Sequence, residues 1–231
     1  ETLKNRYPNV RILTWKKEFN YSAINNFAVR EARGEYLLFL NNDVEIITEN
    51  WLEEMLQLCQ QKDVGMVGAK LYYPDDTIQH AGVVVGLGGV AAHVLCKLPR
   101  DAEGYMGRLR CVQEISAVTA ACMMVKTSVF KAVGGFDEEL KVAFNDIDLC
   151  MKVRKYGVKI IFTPYAELYH YESKSRGMED TPEKQLRFSR EVNCFRRKWE
   201  RELLKGDPYY NPNLTLNNTD CSLRKQEKNG D

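Results

Sequence analysis

The sequence predicts an α/β fold in which helices cover both faces of a mostly parallel central sheet, in three layers. Two apolar segments, residues 36–40 and 64–69, have the composition of buried strands, and a segment with helical periodicity lies between them. The first ends abruptly in the polar residues 41–43. Because ligands of open α/β sheets bind beyond the carboxyl ends of the strands, this pattern also indicates a ligand site.

Composition allows the chain one substantial domain, or at most two small ones, and one domain with a tail is the simpler interpretation. Its 231 residues are 44% hydrophobic, and its 33 basic and 32 acidic residues nearly cancel, which gives no global argument for nucleic-acid or membrane binding. Seven cysteines without a CxxC pair indicate reduced thiols in a cytoplasmic protein. We assign residues 1–205 to the domain and residues 206–231 to an extended segment with a frayed end.

The first third of the chain predicts a right-handed parallel crossover. Residues 10–15 alternate like a strand, residues 23–32 have one apolar helical face, and the strand at 36–40 follows. Apolar residues from Trp51 to Cys59 then predict a helix that precedes the strand at 64–69.

The middle of the chain predicts hairpins and a long loop over residues 71–110. His80 and His93 lie there without a ligand partner at helical spacing, so we interpret them as ordinary loop or hairpin histidines. Residues 116–125 form a strand of small residues, whose side chains leave room for a substrate. Within it, Thr119 and Ala120 are candidates for a sugar or acceptor pocket.

Two acidic residues begin the predicted helix that ends near Gly157. Asp146 and Asp148 lie about 200° apart around this helix, so their carboxylates do not face each other. They are either ordinary first-turn residues, stabilised by the helix dipole, or functional groups. A strand at residues 158–163 follows the helix.

The polar residues after the strand at 36–40 favour a divalent cation. A carboxylate beside amide oxygens suits Mg²⁺ or Mn²⁺ that arrives with a phosphate-bearing substrate. A turn in which Asn and Asp bond to the local backbone explains the same residues. Residues 170–177 combine a histidine with hydroxyl, lysine and arginine groups suited to a diphosphate.

A long amphipathic helix begins at Thr181 and continues past Trp199. Its basic face is either solvated or in contact with acidic lipid head groups, which would place the protein at the inner face of a membrane. The members of that face are Arg196, Arg197, Lys198 and Arg201.

Five segments in series resemble the family 2 glycosyltransferases of the GT-A fold, especially bacterial members that build rhamnose-containing and other surface polysaccharides. They are residues 41–43, 117–122, 134–138, 145–149 and 170–177. The resemblance extends from about residue 7 to residue 216. It implies an inverting, metal-dependent enzyme that transfers a sugar from a UDP- or dTDP-sugar donor to a saccharide or lipid-linked saccharide acceptor.

The resemblance also implies roles for individual residues. Asp43 and His170 match the family's metal ligands for Mg²⁺ or Mn²⁺, and Asp146 matches its general base. Asn145 replaces the family's glutamate and lies beside the expected sugar pocket with Thr119 and Ala120. The residues expected at the donor and its diphosphate are Asn26, Asn42, Asp43, Ser173 and Arg176.

One departure from the family leaves an alternative open. Family members begin with an apolar strand and a second crossover strand that carry the nucleotide-base pocket, and neither precedes Val10. We therefore expect a partial GT-A domain that lacks the first nucleotide-binding strands. The alternative is a catalytically silent module that binds nucleotide sugars or carbohydrates, although retention of Asp43, Asp146, His170 and Arg176 favours the enzyme. A nucleotidyltransferase would need a glycine-rich, basic loop that this chain lacks.

Overall fold

The computed structural model describes residues 6–172 and 181–225. Its helices are α1 (Tyr21–Glu31), α2 (Trp51–Cys59), α3 (Thr127–Ala132), α4 (Asn145–Lys155), α5 (Pro182–Lys198) and α6 (Glu200–Lys205). Its strands are β1 (Tyr36–Leu40), β2 (Val44–Ile46), β3 (Val64–Tyr72), β4 (Ile78–His80), β5 (Val83–Val85), β6 (Ala91–His93), β7 (Gln113–Glu114), β8 (Cys122–Lys126) and β9 (Lys159–His170).

The central sheet has the strand order β1-β8-β3-β9-β2, with β4 on β3 and β7 on β9, while β5 and β6 form a separate hairpin. The prediction of a mostly parallel sheet is wrong. Only β3 and β9 pair in parallel among the described strands, and the other pairs of this sheet are antiparallel. Apolar periodicity reports burial and not strand direction, so the sequence pattern did not reveal the antiparallel pairs.

The predicted strand at residues 10–15 is also wrong. This segment forms no strand, and its apolar side chains are exposed, with Val10 45% and Ile12 50% accessible. The parallel crossover expected between this segment and β1 is therefore absent from the described residues. A short alternating pattern is weak support for a strand when no neighbouring strand covers it.

Helices pack on both faces of the sheet, as the three-layer prediction requires. Helix α2 covers one face through Trp51, Met55 and Cys59. Helices α1, α3 and α4 contribute to the core on the other face. The alternation is clear in β8, where Cys122 and Met124 belong to the first core and Met123 and Val125 to the second.

Strand β8 is shorter than predicted. Residues 116–121 were assigned to a strand, but the regular pairing with β1 and β3 begins at Cys122. The preceding backbone passes close to β3, where a Cβ added to Gly68 would lie 2.3 Å from Val118 Cγ1. Glycine in β3 thus lets this irregular segment approach the sheet.

The segment after α6 packs against the β5–β6 hairpin, with contacts from Asp207 to Val85 and from Leu216 to Gly88. Tyr210, Leu214 and Cys221 are buried, and Gly88 N donates to Leu216 O (2.8 Å). An extended segment was predicted here, although the division of the chain at residue 205 stays a prediction. Within the described ranges, no helix has the length and apolar character needed to span a bilayer.

Candidate functional site

A tight connection between β1 and β2 brings the polar residues 41–43 to the end of strand β9. Strands β2 and β9 pair antiparallel with Val44 opposite His170. Tyr171 N also donates a hydrogen bond to the Asp43 carbonyl oxygen (2.8 Å). The register of the sheet therefore places Asp43 and His170 together although they are far apart in sequence.

The side chains of Asp43 and His170 meet directly. His170 Nε2 lies 3.2 Å from Asp43 Oδ1, and both side chains are largely buried. The amide of Gln79 determines which ring nitrogen carries the proton, because its nitrogen donates to the His170 carbonyl (3.3 Å) and its oxygen faces Nδ1 (2.8 Å). Nδ1 is thus the donor, and Nε2 presents its lone pair to Asn41 Nδ2 at 3.1 Å.

These two side chains fit a divalent cation. Asp43 Oδ1 is buried and has no hydrogen-bond partner, although it lies beside the lone pair of His170 Nε2. Two atoms that bind one Mg²⁺ or Mn²⁺ at about 2.1 Å and at a right angle would lie about 3 Å apart. No group of three or more His, Cys, Asp or Glu side chains suited to a metal occurs in the described ranges. Further ligands would therefore come from water and substrate oxygens.

Asp146 lies in the first turn of α4, where its carboxylate is partly exposed. Its Oδ2 accepts from Ala120 N (3.1 Å), and its Oδ1 accepts from Ile147 N (2.9 Å). Tyr21 donates from its hydroxyl to the Ala120 carbonyl (3.2 Å), and burial, with the charge of Asp146, raises the pKa of Tyr21. Each carboxylate oxygen retains a lone pair for a further hydrogen bond.

The loop before Asp146 is held by a buried carboxylate from helix α5. Glu191 is 3% exposed, and its two oxygens accept from Val142 N (2.9 Å) and Ala143 N (3.0 Å). The next residue, Phe144, has a φ of 61°, which is a strained value for a residue with a side chain. Strain of this kind persists where the surroundings enforce it, so Glu191 helps to position Asp146.

Asp148, the second acidic residue of α4, has a structural environment. Its side chain is fully buried, and Trp199 Nε1 donates to Oδ1 (2.8 Å). Lys198 Nζ lies 2.8 Å from Oδ1, and Lys152 Nζ lies 3.2 Å from Oδ2. Asp148 is therefore a structural residue, and of the two carboxylates only that of Asp146 is accessible to a ligand.

The segment 119–121 connects the parts of the site. Its backbone contacts are Ala120 N to Asp146 Oδ2 (3.1 Å), Asn41 N to Ala121 O (3.0 Å) and Thr119 N to His80 Nε2 (3.4 Å). Two of the three residues predicted at a sugar pocket, Thr119 and Ala120, thus lie between Asp146 and the turn that carries Asp43. The segment is the floor of the candidate site.

Sequence reasoning missed two residues of this region. His80 is fully buried, and its Nδ1 lies 2.8 Å from His93 Nδ1. Burial is the largest cause that lowers the pKa of each ring. The negative charges of Asp146 and Glu172 act in the opposite direction on the pKa of His93. The two histidines are 13 residues apart on different strands, so helical ligand spacing gave no signal. Both lie in hairpin strands, as predicted, since β4 pairs with β3 and β6 pairs with β5, but the contact between the two rings is not predicted by the sequence.

Other predicted residues have different environments. Asn26 bonds to the backbone of Phe136 through both ends of its amide (2.9 Å each), and Asn145 is 3% exposed and donates to Val142 O (3.0 Å). The side chain of Asn42 is exposed on the turn. Contacts of these three residues with a sugar or donor stay predictions. Ser173 and Arg176 lie outside the described residues.

Two of the basic side chains that could face lipid instead form contacts within the protein. Lys198 pairs with Asp137 (2.5 Å) as well as with Asp148, and Arg196 Nη2 donates to the Gly89 carbonyl (3.0 Å). Contact of this helix face with a membrane stays a prediction.

A cleft of about 910 Å³ lies away from these residues. Its wall includes Lys70, Arg100, Arg110 and Glu167, but none of the predicted site residues. Arg100 pairs with Glu167 (3.3 Å), and burial lowers the pKa of Lys70. Charges of both signs therefore neutralise each other in this cleft.

Comparison with known proteins finds one matching family and several relatives. Residues 8–191 match the model of a family described as "Glycosyltransferase like family". An uncharacterized protein of Sinorhizobium fredii, y4gI, is 56% identical over 215 residues, which are 93% of this chain and 24% of that protein. The O-antigen biosynthesis protein RfbC of Myxococcus xanthus is 41% identical over 225 residues, which are 97% of this chain and 17% of that protein.

A more distant relative carries a more specific name. The N-acetylglucosaminyl-diphospho-decaprenol L-rhamnosyltransferase of Mycobacterium tuberculosis is 23% identical over 197 residues, which are 75% of this chain and 62% of that protein. The chain thus spans a quarter or less of the first two relatives and under two thirds of this one.

Two solved structures share the fold. The mannosyltransferase PcManGT from Pyrobaculum calidifontis, in complex with GDP-Man and Mn²⁺, has a TM-score of 0.58 at 15% identity, over 87% of this chain and 50% of that chain. GalNAc-T7, solved with UDP, GalNAc and Mn²⁺, has a TM-score of 0.61 at 13% identity, over 88% of this chain and 39% of that chain.

Proposed function

The chain belongs to the glycosyltransferase-like family and has a GT-A-like fold, and we propose that it transfers a sugar from a nucleoside diphosphate donor to a saccharide acceptor with inversion. The main support is the contact between Asp43 and His170, where a buried carboxylate oxygen without a hydrogen-bond partner lies beside a histidine lone pair. Asp146 is joined to the same region through the segment 119–121.

In this proposal Asp146 is the general base. Its carboxylate accepts the proton of an acceptor hydroxyl while that oxygen attacks the anomeric carbon and the bond to the diphosphate breaks. Ala120 N and Ile147 N each bond to one carboxylate oxygen and fix its orientation. The loop held by Glu191 positions the first turn of α4 and, with it, the base.

Asp43 and His170 would hold Mg²⁺ or Mn²⁺. Gln79 fixes the ring of His170 through Nδ1, so that the lone pair of Nε2, which faces Asn41 Nδ2 in this structure, would bind the ion in place of that amide. When bound, the ion supplies positive charge to the leaving diphosphate. The predicted diphosphate contacts of Ser173 and Arg176 belong to the same proposal.

The general-base role is tested by Asp146→Asn. Loss of base catalysis should lower the transfer rate by about 10²–10⁴-fold and leave donor affinity within a few-fold, because the amide cannot accept the proton. The exposed carboxylate Asp101 offers the matched control Asp101→Asn, which should transfer at the rate of the unchanged chain. Transfer by Asp146→Asn within a few-fold of that rate would remove Asp146 from the mechanism.

The metal site is tested by binding rather than activity. A titration with Mn²⁺, followed by electron paramagnetic resonance in the presence of UDP, should show weaker binding for Asp43→Asn and for His170→Gln. His170→Gln removes the imidazole lone pair, and Asp43→Asn removes the charge. Equal Mn²⁺ affinity in the unchanged chain and both variants would contradict the proposed ligands.

The substrates follow from the relatives' names only as proposals. An O-antigen biosynthesis protein and a rhamnosyltransferase among the relatives favour a role in bacterial surface polysaccharide synthesis, with a UDP- or dTDP-sugar donor and a lipid-linked or free saccharide acceptor at the cytoplasmic face of the membrane. A screen of nucleotide sugars by thermal shift with Mn²⁺ tests the donor. Donor binding without transfer to any acceptor would favour a silent binding module.

A further inference from the structure

The three histidines of the chain lie in one region, and the proposed mechanism uses only one of them. His170 adjoins Asp43, whereas His80 ends strand β4 and His93 ends strand β6. His80 is fully buried and His93 is half-buried, so the pair carries a desolvation cost that apolar side chains in a purely structural role would avoid. The arrangement of His80 and His93 therefore needs an explanation.

A chain of hydrogen bonds fixes the proton positions in both rings. Thr119 N can only donate, so His80 Nε2 must be the acceptor of this contact (3.4 Å). His80 then carries its proton on Nδ1 and donates it to His93 Nδ1 at 2.8 Å. His93 Nδ1 is consequently an acceptor, and the proton of the His93 ring is on Nε2. This holds for the neutral ring, because a protonated His93 would also carry a proton on Nδ1 and could not accept from His80.

The His93 ring lies beside the candidate site, since it bonds to His80 and His80 contacts Thr119. In the part of the chain that the structure describes, no group accepts a hydrogen bond from His93 Nε2–H. The Nε2 atom is not a buried atom without a partner. The charges of Asp146, Glu172 and His170 act on the ring, while burial is the largest cause that lowers its pKa. Thr119, which fixes the other end of the chain of bonds, adjoins Ala120 and its contact with Asp146.

We propose that His93 Nε2–H donates a hydrogen bond to a hydroxyl oxygen of the bound sugar, and that His80 is the positioning residue that holds it in this tautomer. The proposal rests on the glycosyltransferase function above and assigns to it a sugar-binding residue. A neutral donor of fixed orientation suits a sugar hydroxyl, which can accept a hydrogen bond while it donates its own proton elsewhere. The hydroxyl belongs to either the donor sugar or the acceptor.

Nuclear magnetic resonance of the ¹⁵N-histidine-labelled chain tests the proposal directly. Two-bond ¹H–¹⁵N correlations distinguish an Nε2–H ring from an Nδ1–H ring, and His→Gln variants assign the three spin systems. We expect His80 and His170 in the Nδ1–H form and His93 with its proton on Nε2. A spectrum in which His93 carries its proton only on Nδ1 would overturn the proposal.

Ligand titrations with Mg²⁺ then identify the source of the hydroxyl. The probes are UDP, UDP-glucose, UDP-N-acetylglucosamine, GDP-mannose and dTDP-rhamnose, followed by the monosaccharides rhamnose and N-acetylglucosamine. A His93 shift with a nucleotide sugar but not with its nucleotide alone assigns the donor sugar, and a shift that needs the added monosaccharide assigns the acceptor. Shifts of His170 without any shift of His93 would refute the role of His93 and leave the proposed function intact. No shift at any histidine would count against both.

Two substitutions complete the test with the donor that binds. His93→Leu removes the hydrogen bond and should lower kcat/KM for transfer by about three- to tenfold, the effect of one neutral hydrogen bond. His93→Gln retains an N–H donor and should recover part of the loss. Thermal unfolding measures the stability of both variants separately from transfer. If both variants lose transfer equally, and in proportion to their lowered unfolding temperatures, His93 has a purely structural role.

Discussion

The buried carboxylate of Asp148 yields a stability prediction that separates it from its neighbour Asp146. Asp148→Ala leaves the buried indole N–H of Trp199 without its acceptor and removes the charge that faces Lys198 and Lys152. A hydrogen bond to a charged group contributes about 2 kcal/mol. The side chains of Lys198 and Lys152 are 33% and 19% exposed, so their ion pairs add about 1 kcal/mol together. We expect a loss of about 3 kcal/mol in the free energy of unfolding.

Urea denaturation followed by circular dichroism measures this loss. With an m-value of about 2 kcal/mol per molar urea, the midpoint should fall by about 1.5 M. Asp148→Asn keeps an oxygen acceptor for Trp199 and loses only the charge, so its midpoint should fall by roughly a third as much. Asp146→Asn should lower the midpoint less than Asp148→Ala, since its amide oxygen can still accept from Ala120 N and only the contact with Ile147 N is lost.

Two results would refute this reasoning. A midpoint shift under about 0.3 M for Asp148→Ala would mean that the buried contacts contribute little. An equal shift for Asp148→Asn and Asp148→Ala would mean that charge, rather than the hydrogen bond to Trp199, dominates.

Three further outcomes follow from particular contacts. Glu191→Ala should lower the transfer rate about tenfold or more without changing donor affinity, because its two backbone contacts position the loop before the proposed base. A parallel fall in donor affinity would contradict this positioning role. Gly68→Ala should cost about 1–3 kcal/mol in urea denaturation, since its Cβ would lie 2.3 Å from Val118 Cγ1, and an unchanged midpoint would show that the segment can yield. Burial raises the pKa of the Cys122 thiol to about 12, so at pH 8 this thiol stays protonated and should resist iodoacetamide in the folded chain, while the exposed Cys111 is alkylated. Equal labelling of both cysteines in mass spectrometry would contradict the burial of Cys122.

Some of the site could be predicted because local chemistry identifies it. Asp43 follows an apolar strand, Asp146 lies in a helix first turn and His170 ends a strand, and each pattern is visible in a few consecutive residues. The structure brings Asp43 and His170 within 3.2 Å, as the resemblance to glycosyltransferases, which assigns both residues to a metal, implies. Their roles as metal ligands, and that of Asp146 as base, stay predictions.

Other features depended on contacts that consecutive residues do not encode. His80 and His93 gave no recognisable spacing, because strands β4, β5 and β6 bring them together through a hairpin register. Asn26 has the residue type of a donor contact, yet its amide bonds to the backbone of Phe136.

The sequence by itself determined the residue types at the strand and helix ends, the alternation of elements, the layered α/β class and the family resemblance, because each depends on local periodicity and short motifs. Tertiary structure alone decided the direction of the strands and the different environments of Asp146 and Asp148. The direction of a strand depends on which strands pair with it. The burial of a carboxylate depends on which helix packs over it. Helix α5 and the residue after it cover Asp148 and leave Asp146 accessible, so two carboxylates that look alike in the sequence have different environments.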